Sequence, residues 1–227
     1  MKFIFKWLLR IVLLVVVLVV IFFLSLDTII RVVMENRIRA QTGMDAQIGK
    51  FTLGLRKPTI TIKDFKLFNP PSFGGTSFLD IKEIQVEYDR DALKKSELRI
   101  TLLQFNLAEL DIVKNEAGQT NIFSIATLPS VKKKHGAKSF SAQTGLEFSG
   151  IDRLDVSIGK ARFIDLQDQH NNREQVIGIE NCVTPHVTTP ADLGPLIAII
   201  VLRSDGFFSS LVEEKRPGFD ILKQLGL

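Results

Sequence analysis

The chain has 227 residues and a net charge of +4, and Lys2, Lys6 and Arg10 account for all but one unit of that excess. Residues 27–227 are close to neutral, which argues against nucleic-acid binding, since that needs a concentrated basic face. A single cysteine, Cys182, excludes an internal disulfide and reads as a small buried hydrophobe.

Residues 1–26 are expected to form a transmembrane signal anchor. No charge occurs from Ile11 to Leu26, and Leu18 sits mid-run among Val, Ile and Leu. Counting from Trp7, the run reaches 20 residues, about the length a helix needs to cross ~30 Å of hydrocarbon. Arg10 can snorkel to the near headgroups. The three cations precede the run, so the positive-inside rule keeps the N-terminus cytoplasmic and places the bulk across the membrane. A cleaved signal peptide fits less well: the run is too long, and Leu24-Ser25-Leu26-Asp27 is a poor cleavage site. Residues 27–43 continue at helical spacing as a stalk, or as a short helix packed on the sheet, ended by Thr42-Gly43.

Residues 44–190 carry a repeat. Ile60/Ile62/Phe65/Leu67, Leu79/Ile81/Ile84/Val86 and Leu98/Ile100/Leu103/Phe105 place apolar residues at offsets 0, 2, 5 and 7, each set 19 residues after the last. Looser copies fall at Ala46/Ile48/Phe51/Leu53 and Val156/Ile158/Ala161/Phe163. Strand side chains alternate between faces, so offsets 0 and 2 share a face and 5 and 7 share the other. One extra residue at a β-bulge returns all four to one side and bends the strand. The pattern therefore predicts a mostly β domain of antiparallel bent strands. They form either an apolar groove or one sheet of a sandwich. Asp64 and Glu83 recur at offset 4, between the apolar pairs, and are expected to face solvent.

Asn69 to Gly75 is a loop, Tyr88 to Ser96 closes the next unit, and Val113 to Gly118 is read as a hairpin turn before a strand over Thr120–Ile125. Residues 129–144, with Lys132-Lys-Lys-His135, form a flexible exposed loop. Strands resume at Leu146/Phe148, Leu154–Ile158, Ala161–Leu166 and Val176–Ile179, with a turn at His170-Asn-Asn172. Residues 191–227 form a helical cap: Leu193–Leu202 is apolar but far short of a membrane span.

No catalytic constellation is present. His135, His170 and His186 lack metal-ligand spacing, and the sequence holds no G-x-S-x-G, P-loop or G-x-G-x-x-G. Neither an enzyme nor a cofactor or metal is expected.

Several segments together resemble the N-terminal region of AsmA-like proteins, which are related by β-groove architecture to chorein-type bridge lipid-transfer proteins. The resemblance rests on the anchor, Thr42-Gly43, Ile48-Gly-Lys-Phe51, Asn69-Pro70 with Phe73, Val86-Glu-Tyr-Asp89, Glu109-Leu-Asp-Ile112 and Val113 to Asn121. It covers roughly residues 1–125. It implies a protein of the bacterial inner membrane, single-pass, whose periplasmic β-groove binds or passes phospholipid acyl chains. The chain is much shorter than typical members, which points to a local module, a homo-oligomer or a protein partner. The lipid-groove residues would be the repeat positions. A membrane-anchored adaptor that docks a partner through a closed β-domain is the alternative.

Overall fold

The computed structural model describes residues 27–54, 56–122, 141 and 144–207. The expected anchor, with Trp7, Arg10, Ile11, Leu18 and Leu26, lies outside them, as do nearly all of the 129–144 loop and residues 208–227. Among the described residues, no helix is long and apolar enough to cross a membrane.

Residues 27–42 form helix α1. Gly43, at φ +71°, ends it with its N–H on the Arg39 carbonyl, as the sequence predicts. The chain then turns into β1 (Ala46–Leu53), and α1 runs back along that strand. Arg31 Nη1 donates to the Gly49 carbonyl at 3.0 Å, and the Ile48 N–H donates to Glu35 Oε1 at 2.7 Å. The helix thus satisfies backbone groups that an edge strand would leave open to another chain.

Strands β2 (Thr59–Phe68), β3 (Ser77–Tyr88), β4 (Glu97–Lys114), β5 (Glu147–Asp165) and β6 (Arg173–Val187) follow. All six make one sheet in sequence order. A short helix α2 (Arg90–Lys94) joins β3 to β4, its first amides accepted by the Asp89 carboxylate. The tail forms a 3₁₀ turn, Pro190–Leu193, and helix α3 (Gly194–Arg203), matching the expected apolar helix.

Four expectations need correction. The sheet is mixed, because β4 and β5 pair in parallel while every other pair is antiparallel. The connection 115–146 carries the chain back to the start of β4, and a parallel pair requires a crossover of that length. Second, the pieces expected from Leu146 to Leu166 are one 19-residue strand. Third, the described part of the strand expected over Thr120–Ile125 is not a strand: Thr120 makes one bridge to Lys114, Asn121 and Ile122 are helical, and residues 123–125 lie outside the described residues. Fourth, the layer facing the sheet is helical; the described residues contain no second sheet for a sandwich.

The repeat emerges as transverse rows. Phe51–Ile62–Ile84–Phe105–Val156–Cys182 and Ile48–Phe65–Ile81–Leu107–Ile158–Ile179 cross all six strands as facing residues. Outer rows begin Leu53–Ile60–Val86–Leu103 and Ala46–Leu67–Leu79–Leu110; only their β6 members, Thr184 and Gln175, are polar. A crease crosses the strands: on β1–β3 it runs between the inner rows, and on β4–β6 it passes beyond the Leu107–Ile158–Ile179 row. Asp64 is at φ +51° opposite Gly49, β3 and β4 shift register around Lys82 and Ala108, and β6 shifts at Gly178, φ +60°. This crease returns offsets 5 and 7 to the face of 0 and 2. Two glycines are required there by space: a Cβ on Gly159 would meet the Ala108 carbonyl oxygen at 2.4 Å, and one on Gly49 would meet Asp64 Cβ at 2.8 Å.

Candidate functional site

The sheet has two chemically opposite faces. On one lie the rows just described. On the other, facing residues alternate in charge: Lys63 Nζ is 3.5 Å from Glu83, Lys66 is 3.5 Å from Asp80, and Lys160 lies between Glu109 at 3.2 Å and Glu174 at 2.9 Å. Asp64 is exposed and Glu83 joins this charged face, as offset 4 predicts. Such alternation is what one packed and one solvated face require.

The apolar face is covered unevenly. Over β5 and β6, α3 sets Leu196 against Leu154, Val156 and Val187, with Leu103, Phe105 and Ile200 at the margin. Farther along, Phe207 closes on Ile112, Ala161 and Phe163. Of the expected lipid-contacting residues, Ile48, Phe51, Ile81, Val156 and Phe163 are buried. The other twelve are half-buried. Ile60, Ile62, Ile84 and Val86, on adjacent strands β2 and β3, belong to neither packed cluster. The candidate site is this strip of half-open apolar surface over β2–β4.

Its dimensions follow from strand geometry. Seven residues at ~3.3 Å give about 23 Å along the strands, and three strands at ~4.8 Å spacing give about 10 Å across. One leaflet of a ~30 Å hydrocarbon core needs acyl chains of about 15 Å. The strip is long enough for one.

Sequence reasoning set the β4 copy out of phase. Leu103 and Phe105 fall in the rows, but Ile100 pairs with Tyr88 and Ile151, and Leu98 with Phe148, at the end of the sheet. The in-phase residues include Leu107 and Leu110, which the expected set lacks. The signal was present: Phe105/Leu107/Leu110/Ile112 also has offsets 0, 2, 5 and 7, and it runs parallel to Val156/Ile158/Ala161/Phe163.

Polar groups near one end of the sheet are arranged for support. Asn121 is almost fully buried; its Oδ1 accepts from the Val113 and Ile122 amides at 3.1 and 2.9 Å, and its Nδ2 donates to Asn69 Oδ1 and the Asp111 carbonyl, both at 2.8 Å. Arg162 holds the Asp111 carboxylate bidentately at 2.8 and 2.6 Å and also pairs with Glu109. Burial pushes the Asp111 carboxyl up, against the opposing pull of Arg162, and Asp111 in turn raises the guanidinium. Every strong partner in this cluster is another protein group.

Other titratable groups are also occupied structurally. The amides and hydroxyls of Thr188 and Thr189 converge on Asp192 Oδ2 at 2.7–3.1 Å and hold its carboxyl down at about 2. His170 Nδ1 sits 3.0 Å from Asp168 in an exposed turn, and Cys182 is a free, half-buried thiol in an apolar row. Among the described residues, no group of three or more His, Cys, Asp or Glu is placed to hold a metal. Comparison with protein-family models, curated proteins and solved structures gives no match.

Proposed function

We propose that this is a membrane-anchored lipid-holding module, which rests acyl chains on the half-open apolar strip of β2–β4. The anchor is the apolar run of residues 1–26. The resemblance to AsmA-like proteins supplies the setting: the bacterial inner membrane, with the sheet on the periplasmic side. One observation carries the reading. Ile60, Ile62, Ile84 and Val86 form contiguous apolar surface that neither α3 nor Phe207 covers, while the reverse face is solvated by ion pairs.

The energetics favour an acyl ligand. Each methylene moved from water to an apolar surface contributes ~0.8 kcal/mol, so an alkyl chain binds without polar readout. Such a site selects for chain length and discriminates headgroups weakly.

The test is native mass spectrometry of the full chain released from detergent. Phospholipid adducts are expected on the wild type, and Ile62→Glu with Ile84→Glu should lower their occupancy at least about tenfold, the equivalent of ~1.4 kcal/mol. The pair Lys63→Glu and Glu83→Lys, on the reverse face, should leave occupancy unchanged. Equal adducts on wild type and the Ile62/Ile84 variant would defeat the proposal.

A further inference from the structure

We propose that the end of the sheet holding the β1–β2 turn and α2 docks on the surface of an anionic bilayer. Arg56, Lys57 and Lys95 would meet lipid headgroups, and Leu93 and Phe148 would enter the interface. The inference rests on the anchor part of the reading above and adds to it an orientation and a contact surface.

The direction comes from α1. Its contacts with β1 run in reverse order: Arg31 to Gly49, Glu35 to Ile48, Arg39 to Asp45. The helix is therefore antiparallel to the strand. Residue 27 stands about 6 Å beyond Arg31, at ~1.5 Å per residue, level with the last residues of β1. The preceding residues are the uncharged run Ile11–Leu26. A membrane span there leaves the chain at this end of the sheet, within a few residues of the headgroups.

This rim is continuous. The Tyr88 N–H donates to the Pro58 carbonyl at 3.0 Å, joining the β1–β2 turn to α2, and the Glu147 N–H donates to the Ser96 carbonyl at 2.8 Å, joining α2 to β5. Arg56, Lys57 and Lys95 are exposed along it, with Leu93 36% and Phe148 47% exposed. Cations beside protruding apolar side chains are what an interfacial contact with anionic lipid uses. The nearby acids are engaged: Asp89 caps α2, Asp91 pairs with Lys94 at 2.8 Å, and Asp192 gathers four donors. Two acids share the rim: Glu97 and Glu147 face each other at the starts of β4 and β5, beside Lys95 and Phe148. At the opposite end, the connections 69–76, 115–120 and 166–172 hold Glu116 and Asp168 and no Lys or Arg. The turns at the two ends are therefore unlike in charge, with the α1–β1 turn at the far end adding the Arg39–Asp45 pair.

The experiment uses the full chain with Cys182→Ser, reconstituted in phosphatidylcholine vesicles with or without phosphatidylglycerol. An environment-sensitive fluorophore is attached through Leu93→Cys or Phe148→Cys at the near rim, and through Glu116→Cys or Asp168→Cys at the far one. Lipids carrying a quencher at headgroup depth should quench the near probes and leave the far probes bright. Near-rim quenching should fall several-fold without phosphatidylglycerol, and again with Arg56→Glu and Lys57→Glu. Unquenched near probes, equal quenching at both rims, or near quenching indifferent to charge would each overturn the proposal. If adduct formation still depends on Ile62 and Ile84 while the near rim stays bright, docking fails and the lipid-holding reading stands. The reverse pattern separates them the other way.

Discussion

Asn121 shows how one buried side chain can hold distant parts of a fold together. It satisfies two amides, the Asp111 carbonyl and Asn69 from 52 residues away. Asn121→Ala removes all four bonds and leaves their partners buried. A cost of about 3 kcal/mol is expected, read as a fall in the denaturant midpoint. A loss under about 1 kcal/mol would mean that water replaces the side chain. Asp192 gives a pH prediction. Its folded-state carboxyl is lowered to about 2 from the ordinary 3.8, so its contribution is present above pH 4 and is lost as pH falls toward about 2. Protection of the Thr188 and Thr189 amides should weaken over that window in the wild type. In Asp192→Asn it should already be weak at neutral pH. The sequence sets Asn121 in an expected strand just after a turn, and its linking role is not visible there, because its partner Asn69 is placed only when β4 is.

At the scale of elements, the crease was legible and the chain's path was not. Apolar offsets 0, 2, 5 and 7 demand a phase change within each strand, and the line from Gly49 through Asp64, Lys82 and Ala108 to Gly159 and Gly178 provides it. What the spacing could not carry was register. Two overlapping copies of the same pattern exist in β4, starting at Leu98 and at Phe105, and only pairing with β3 and β5 chooses between them. The parallel β4–β5 ladder was hidden for a similar reason: strand direction depends on where residues 115–146 travel, and apolar alternation is the same in both directions. Gly159→Ala tests the crease. A methyl at 2.4 Å from the Ala108 carbonyl oxygen forces β4 and β5 apart, and a loss of about 2 kcal/mol in thermal stability is expected. Glu35→Ala tests the edge cover. The Ile48 amide should exchange about tenfold faster, in line with the ~1.5 kcal/mol of a hydrogen bond to a charged group, and an unchanged rate would show that α1 protects the edge without it.

At the scale of the molecule, the sheet is amphipathic across its width, and its helices cover only part of the apolar side. The rows over β5 and β6 meet α3 and Phe207, which also reach Leu103, Phe105, Leu110 and Ile112 of β4, and those over β2 and β3 remain half-open apart from the buried Ile81. Eleven of the twelve half-buried candidate residues lie on β2–β4; Ile158 on β5 is the exception. The repeat identified that surface. Which part of it would be covered depended on the docking of α3, a long-range contact with no local signature. The most direct measurement is photo-crosslinking in cells with a light-activated residue at Ile84 and, separately, at its neighbour Glu83 on the ion-paired face. The account predicts phospholipid attached at position 84 and none at 83. Protein and no lipid captured at 84, or equal lipid labelling at both positions, would contradict it.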